Sequence, residues 1–98
     1  MLPTHRAPTH PGEMLLEEFL KPAQVTQVDA AARMRMSVNR LNEIIRGKRG
    51  VTAETAVLFS KLTGTSAEFW LNLQTAWDLW HALRRSPSVK VRPIRLAS

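Results

Sequence analysis

The sequence predicts an all-α fold. Apolar residues recur at helical spacing in successive segments, and residues that begin or end helices bound these segments. Four hydroxyl side chains stand just before such segments, where they can accept a hydrogen bond from a free first-turn N–H: Thr26, Ser37, Thr52 and Ser66. Glycine or proline follows most of the segments. A chain of 98 residues has enough length for one domain with one core.

The first helix is expected to follow a flexible N-terminal arm, residues 1–9, which holds two prolines and no periodic pattern. Pro11 suits a first helical turn, and Lys21 with Pro22 is expected to end the helix. The apolar stripe that should face the core consists of Leu15, Leu16, Phe19 and Leu20. The outer face is acidic and is either a solvated surface or a docking surface for a basic protein: Glu13, Glu17 and Glu18.

Two short helices joined by a tight turn are predicted between Thr26 and Gly50. In the first of them, three successive alanines favour a helix and let another helix approach closely. In the second, one apolar stripe is formed by Val38, Leu41, Ile44 and Ile45. The opposite face of this second helix carries hydrogen-bonding groups, on Asn39, Arg40, Asn42, Glu43 and Arg46.

A steeply crossing helix pair whose second helix has a polar outer face meets the requirements for reading DNA in the major groove. The segment resembles the helix-turn-helix of the Xre and phage-repressor family. One departure is Arg35, which stands where that turn often holds glycine, and a left-handed backbone there would cost roughly 1 kcal/mol. The alternative is an ordinary helical hairpin with no role in DNA binding.

Six residues at the start and on the outer face of the second helix are the predicted base contacts: Ser37, Val38, Asn39, Arg40, Asn42 and Glu43. Asn39 can pair with adenine through two hydrogen bonds, and Val38 can contact a thymine methyl group. Glu43 can accept a hydrogen bond from cytosine, whereas Arg40 either reads guanine or holds a phosphate.

The charge of the chain favours a polyanionic partner. The formal net charge is +6, although charge alone does not distinguish a nucleic acid from an acidic protein. Basic residues are concentrated between Arg33 and Arg49, where six of them stand against one acid. The predicted phosphate contacts are Thr26, Gln27, Arg46, Lys48 and Arg49.

Two further helices are predicted, one beginning after Thr52 and a longer one running from Ser66 to Arg85. The long helix carries apolar side chains on more than one side, which is difficult to bury within so short a chain. We therefore expect a homodimer, with a monomer built around this helix as the alternative. The predicted interface consists of Trp70, Leu71, Trp77, Leu79 and Trp80.

Three runs of sequence carry a more specific resemblance: HPGEMLLEEFLKP, RGKRGVTAETAVLFSKLTGTSAEFWLNLQ and the trailing WDL. Over residues 10–80 the chain is similar to the HigA-type antitoxins of bacterial toxin–antitoxin pairs. The resemblance implies a five-helix, phage-repressor-like helix-turn-helix domain, residues 10–85, that dimerises through a longer C-terminal helix. It also implies binding to operator DNA, autorepression of its operon, and neutralisation of a HigB-type mRNA endonuclease toxin by direct binding.

Residues 86–98 lie beyond the usual end of that family and are expected to form a basic, disordered tail. Val89 and Val91 alternate with basic residues in a weakly strand-like pattern. The tail is alternatively an arm that adds phosphate contacts or a strand that joins a partner's sheet.

Catalysis is not expected. The chain has no cysteine, and its three histidines stand apart from one another without the spacing of metal ligands. We expect no cofactor, no metal, no membrane segment and a cytoplasmic location, with which the absence of cysteine is compatible. Two other classes stay open: a stand-alone phage-type repressor without a toxin, and a protein-binding module whose helix-turn-helix has lost DNA affinity.

Overall fold

A computed structural model describes residues 7–85 and 89–96, and it contains five helical segments in this part of the chain. The first, α1, is α-helical over Pro11–Leu15, π-helical over Leu16–Leu20 and α-helical again over Lys21–Ala23. The others are α2 (Gln27–Met34), α3 (Val38–Ile45), α4 (Ala53–Thr63) and α5 (Ala67–Arg85). The prediction of an all-α fold is confirmed, since no strand occurs in the described ranges.

The four predicted capping hydroxyls all cap helices. Each side-chain oxygen accepts a hydrogen bond from the backbone N–H three residues later, at 3.0 Å for Thr26, 3.1 Å for Ser37, 3.3 Å for Thr52 and 3.1 Å for Ser66. These bonds satisfy N–H groups that have no partner within the helix. The helix starts were therefore predictable from local sequence.

Helix α1 continues past the predicted stop at Lys21 and Pro22. Lys21 donates its N–H to the Leu16 carbonyl, five residues back, as expected of a π-helical turn. Pro22 lacks the backbone N–H that would continue the helical hydrogen bonds. The helix nevertheless runs on to Ala23 and ends at Gln24, whose φ is 57°. The acids on the outer face of α1 are exposed, and Lys21 binds Glu17 at 2.9 Å.

The start of α1 lies directly against the end of α3. Gly12 is buried, and a Cβ at this position would overlap the carbonyl group of Ile44 and come within 2.6 Å of the Ile45 Cα. Only glycine therefore allows the two backbones to approach this closely. His10 caps α1, because its Nδ1 accepts a hydrogen bond from the Gly12 N–H at 2.9 Å.

The core is centred on Trp70, which is fully buried. Its indole ring contacts three phenylalanine rings, with centroid distances of 5.6 Å to Phe19, 5.1 Å to Phe59 and 5.0 Å to Phe69. Its Nε1 donates to Thr65 Oγ1 at 2.7 Å. The prediction that Trp70 belongs to a dimer interface is wrong, since a side chain closed off within its own chain cannot contact a second copy.

The two chain ends were predicted to lie outside the folded domain. Of the N-terminal arm, residues 1–6 lie outside the described part; Pro8 is half-buried and lies against α5. In the tail, residues 89–96 are exposed and form neither helix nor strand, so the alternating pattern does not produce a strand there. Residues 86–88 and 97–98 lie outside the described residues.

Candidate nucleic-acid interface

Helix α3 turns Leu41 and Ile44 inward and its N-terminal end outward, and Val38, which was predicted to belong to the apolar stripe, lies at that exposed end. Leu41 and Ile44 are fully buried, whereas Ser37, Val38 and Asn39 are exposed. The Arg35 backbone in the turn before α3 is left-handed, with a φ of 56°. The helix pair α2–α3 is thus a helix-turn-helix in which three of the predicted base contacts are freely accessible.

Arg40 lies differently from its exposed neighbours. Its guanidinium donates to Thr55 Oγ1 at 3.0 Å, and Thr55 is a fully buried residue near the start of α4. The Arg40 Nε is also buried, without a hydrogen-bond partner in the described structure. Arg40 therefore joins α3 to α4, a structural contact that the sequence did not indicate, and its prediction as a base contact stays untested.

Asn42 and Gln27 were predicted in separate roles, as a base contact and a phosphate contact, and the structure brings them together. The Asn42 Nδ2 donates to Gln27 Oε1 at 3.1 Å. Both side chains are half-buried. This bond ties the first turn of α2 to the middle of α3, so the two elements present a single polar surface.

The segment between α3 and α4, residues 46–52, is called the α3–α4 loop. It folds back onto the end of α3, because the N–H groups of Lys48 and Arg49 both donate to the Glu43 carbonyl, at 2.8 and 3.2 Å. Gly47 makes the reversal possible with a φ of 75°. These bonds hold the first part of the loop, which carries Lys48 and Arg49, against the end of α3.

The basic side chains of this surface differ in whether they form an ion pair within the protein. Arg49 binds the Glu43 carboxylate at 3.1 Å, and both side chains are about half exposed. Within the described residues, Arg35, Arg46 and Lys48 are exposed and form no ion pair. These three are therefore available to phosphates without first breaking an internal contact.

The predicted dimer residues other than Trp70 lie on the outer part of α5. Leu71, Trp77 and Trp80 are half-buried, and Leu79 is 54% exposed. Leu83, which was not among the predicted interface residues, is 69% exposed. It lines an apolar groove with Pro8, Ala76, Leu79 and Trp80. The exposed apolar surface lies towards the C-terminal end of α5.

Sequence reasoning missed Gln74, which is buried on α5 and binds the α3–α4 loop. A signal was present, because Gln74 stands four residues after Trp70 and three before Trp77, in the middle of an apolar stripe. Sequence reasoning also assigned no role to His10, which is buried and caps α1.

Neither a membrane-spanning helix nor a cluster of metal-ligating side chains occurs in the part of the chain that the structure describes. No helix there is long and apolar enough to cross a membrane. Nor does any group of three or more histidine, cysteine, aspartate or glutamate side chains among the described residues have the arrangement of a metal site.

Comparison with known proteins gives consistent matches. The family model described as helix-turn-helix matches residues 16–70. The antitoxin HigA-1 of Vibrio cholerae is 41% identical over 86 residues, covering 87% of this chain and 80% of that protein.

Two solved structures are also similar. The Pseudomonas aeruginosa antitoxin HigA with the higBA promoter has a TM-score of 0.77 and 36% identity, and the match covers 80% of this chain and 85% of that one. Antitoxin GraA in complex with its operator has a TM-score of 0.75 and 36% identity, and the match covers all of both chains. On this evidence the chain belongs to the Xre-type helix-turn-helix family and, within it, to the HigA antitoxins.

Proposed function

We propose that this protein is a DNA-binding antitoxin that represses its own operon through α2 and α3. The observation that supports this most directly is the accessible polar end of α3, flanked by a loop that carries Arg46, Lys48 and Arg49. Donors and acceptors at the centre with cations at the border match a major groove between two phosphate backbones. The promoter and operator complexes of the two structural relatives point to the same use.

The base contacts that we propose are the exposed Ser37, Val38 and Asn39 together with the half-buried Asn42 and Glu43. Asn42 uses one N–H of its amide on Gln27, which leaves its second N–H and its carbonyl oxygen for a base. The Glu43 backbone carbonyl accepts the hydrogen bonds from the loop, and its carboxylate binds Arg49. A base that binds this carboxylate would therefore have to displace Arg49. In this proposal Arg40 joins α3 to α4 through its hydrogen bond to Thr55 and is not counted among the base contacts.

The phosphate contacts that we propose lie at two places. Thr26 and Gln27 begin α2, where free N–H groups and the positive end of the helix dipole favour an anion. Arg46, Lys48 and Arg49 lie at the other end, beyond α3. These two groups are positioned to hold the protein on the DNA without selecting a sequence.

We propose a homodimer that joins two copies through the outer part of α5. Leu79 and Leu83 are each more than half exposed to solvent. A two-fold dimer would bury this surface and would supply two copies of α3 for a palindromic operator.

We further propose that the protein neutralises a HigB-type toxin by direct binding, as the HigA family implies. Coexpression with the product of a neighbouring gene for a small toxin tests this directly. The antitoxin is expected to restore growth and to purify in complex with the toxin. A stand-alone repressor would leave the growth arrest unchanged and would purify alone.

Repression is tested with a reporter gene placed behind the DNA upstream of this protein's own gene. The wild-type protein should silence the reporter, and Asn39→Ala should release it. Asn72→Ala is the matched control, because Asn72 is an exposed asparagine of α5 and lies outside the helix-turn-helix that carries the proposed DNA contacts. Unchanged reporter activity with the wild-type protein would contradict autorepression.

A further inference from the structure

The α3–α4 loop is held at both of its ends. At its start, the Glu43 carbonyl accepts hydrogen bonds from the loop backbone. At its end, the N–H of the buried Val51 donates to Gln74 Oε1 at 2.8 Å. Gln74 belongs to α5 and is 23 residues further along the chain. A helix that contributes nothing to the proposed DNA surface therefore fixes the loop that carries Lys48 and Arg49.

Gln74 fits the loop closely. Only 8% of the residue is exposed, although a glutamine side chain ends in a polar carboxamide and is usually found at the surface. Its carboxamide packs against Gly50, where an added Cβ would lie 3.2 Å from the Gln74 Cδ and Nε2 atoms. Gly50 therefore makes room for the amide, which reaches the next backbone N–H.

Asp78 determines the orientation of this amide. The Gln74 Nε2 donates to Asp78 Oδ1 at 2.9 Å, one turn further along α5. A backbone N–H can only donate and an ionised carboxylate can only accept, so the carbonyl oxygen must face Val51 and the NH₂ group must face Asp78. Asp78, Gln74 and Val51 thus form a chain of two hydrogen bonds with a single allowed direction.

We propose that Gln74, oriented by Asp78, is a positioning residue for DNA binding: it fixes the α3–α4 loop so that Lys48 and Arg49 meet the phosphates. This inference rests on the proposed DNA-binding function. Gly47 and Gly50 frame the two cations, and glycine backbones are the least restricted of all. Without the bond to Gln74, the loop would have to be ordered when DNA binds, and affinity would fall by that entropy.

The first test replaces the amide with an apolar side chain of similar length, Gln74→Met. Val51 then keeps a buried N–H without an acceptor. We expect binding to upstream and scrambled DNA to weaken by roughly tenfold on both duplexes, because phosphate contacts carry no sequence information. The salt dependence should flatten by about one unit for each phosphate that the variant no longer neutralises.

A coupling measurement separates positioning from a general effect on the fold. In a Lys48→Ala, Arg49→Ala background, Gln74→Met should cause little further decrease in affinity, because the cations that it positions are gone. An equal decrease in both backgrounds would overturn the positioning role.

A swap of donor and acceptor tests the orientation. Gln74→Glu alone places two carboxylates in contact and should weaken binding. Gln74→Glu combined with Asp78→Asn restores one donor and one acceptor at the same net charge, and it should recover most of the affinity. Failure of the double variant to recover would overturn the role of Asp78. This pair also carries the test if Gln74→Met does not fold.

Thr65→Val is the stability control. It removes the acceptor of the Trp70 indole, one turn before Gln74 on α5, and leaves both hydrogen bonds of Gln74 in place. It should lower the melting temperature and leave DNA affinity unchanged below the transition. A decrease in affinity equal to that in Gln74→Met would assign the effect to stability alone.

The failure of this inference differs from the failure of the proposed function. Wild-type protein that binds both duplexes weakly and equally contradicts sequence-specific DNA binding. Wild-type protein that binds upstream DNA tightly, with Gln74→Met indistinguishable from it, contradicts only the role of Gln74. Hydrogen exchange of the Val51 amide proton gives a readout without DNA. Its protection should fall in Gln74→Met, and unchanged protection would contradict the hydrogen bond.

Discussion

At the scale of single residues, Asn39 and Lys48 separate the two tasks of the proposed DNA surface. Asn39→Ala is expected to reduce affinity for the upstream DNA by on the order of 1–3 kcal/mol and to change binding to scrambled DNA little, because it removes a base contact. Lys48→Ala should weaken both duplexes alike and flatten the salt slope by about one. Fluorescence anisotropy on both duplexes measures these changes. Equal decreases on both for Asn39→Ala would contradict base reading.

His10 should make the stability of the fold depend on pH. Burial lowers the pKa of His10 below its ordinary 6.5; Asp78 and Glu13 oppose this shift and His81 adds to it. The folded protein therefore holds a neutral His10, which caps α1 through its unprotonated Nδ1. The unfolded chain takes up a proton below about pH 6.5, so stability should fall as the pH falls from there through the folded pKa.

Urea unfolding of the wild-type protein at about pH 7.5 and about pH 5.5 measures this dependence. His10→Asn keeps an acceptor for the Gly12 N–H but does not titrate in this range. The variant should therefore lose less stability than the wild type between the two pH values. An equal loss in both proteins would show that other groups cause the dependence.

At the scale of elements, the contact between α1 and α3 depends on Gly12. Gly12→Ala should destabilise the protein by about 3 kcal/mol, because the added methyl group meets backbone atoms of Ile44 and Ile45 that cannot turn aside. Denaturant unfolding measures the change. Gly64→Ala is the control: it meets no atom within 4 Å and costs only the strain of its φ of 77°, roughly 1 kcal/mol. Similar losses of stability for the two variants would contradict the close backbone contact.

The helix starts and the role of α2 and α3 could be predicted because their signals are local. A hydroxyl group caps the N–H groups three residues away, and an apolar stripe repeats within two turns. The contacts of Gly12 and Gln74 could not be predicted with the same rules, because their partners, Ile44 and Val51, are distant in sequence.

The wrong prediction at Trp70 has a related cause. An apolar stripe shows that side chains avoid water, but it does not show whether the chain itself or a second copy covers them. Trp70 proved to be enclosed by Phe19, Phe59 and Phe69, whereas Leu79 on the same helix stays exposed. The predicted dimer interface included both residues, and only the three-dimensional packing separated them.

At the scale of the whole molecule, the proposed dimer determines the length of the DNA site. Two copies joined through the outer part of α5 present two copies of α3, which together bind a full operator. The double variant Leu79→Glu, Leu83→Glu should be monomeric in analytical ultracentrifugation, because it places charges on the apolar surface that a second copy would cover. Its affinity for a full operator should fall towards that for a half-site. Val57→Glu, at an exposed valine of α4, is the control and should stay dimeric. A double variant that stays dimeric would place the interface elsewhere.

The proposed function depends above all on whether α2 and α3 of this basic molecule read the DNA upstream of its own gene. Fluorescence anisotropy of wild-type protein on that DNA and on a scrambled duplex, across a salt series, decides this. We expect binding at least about a thousandfold tighter to the upstream DNA, and a steep decrease in affinity with salt. Equal, weak binding to both duplexes would contradict the proposal and would leave the polar face of α3 without a sequence to read.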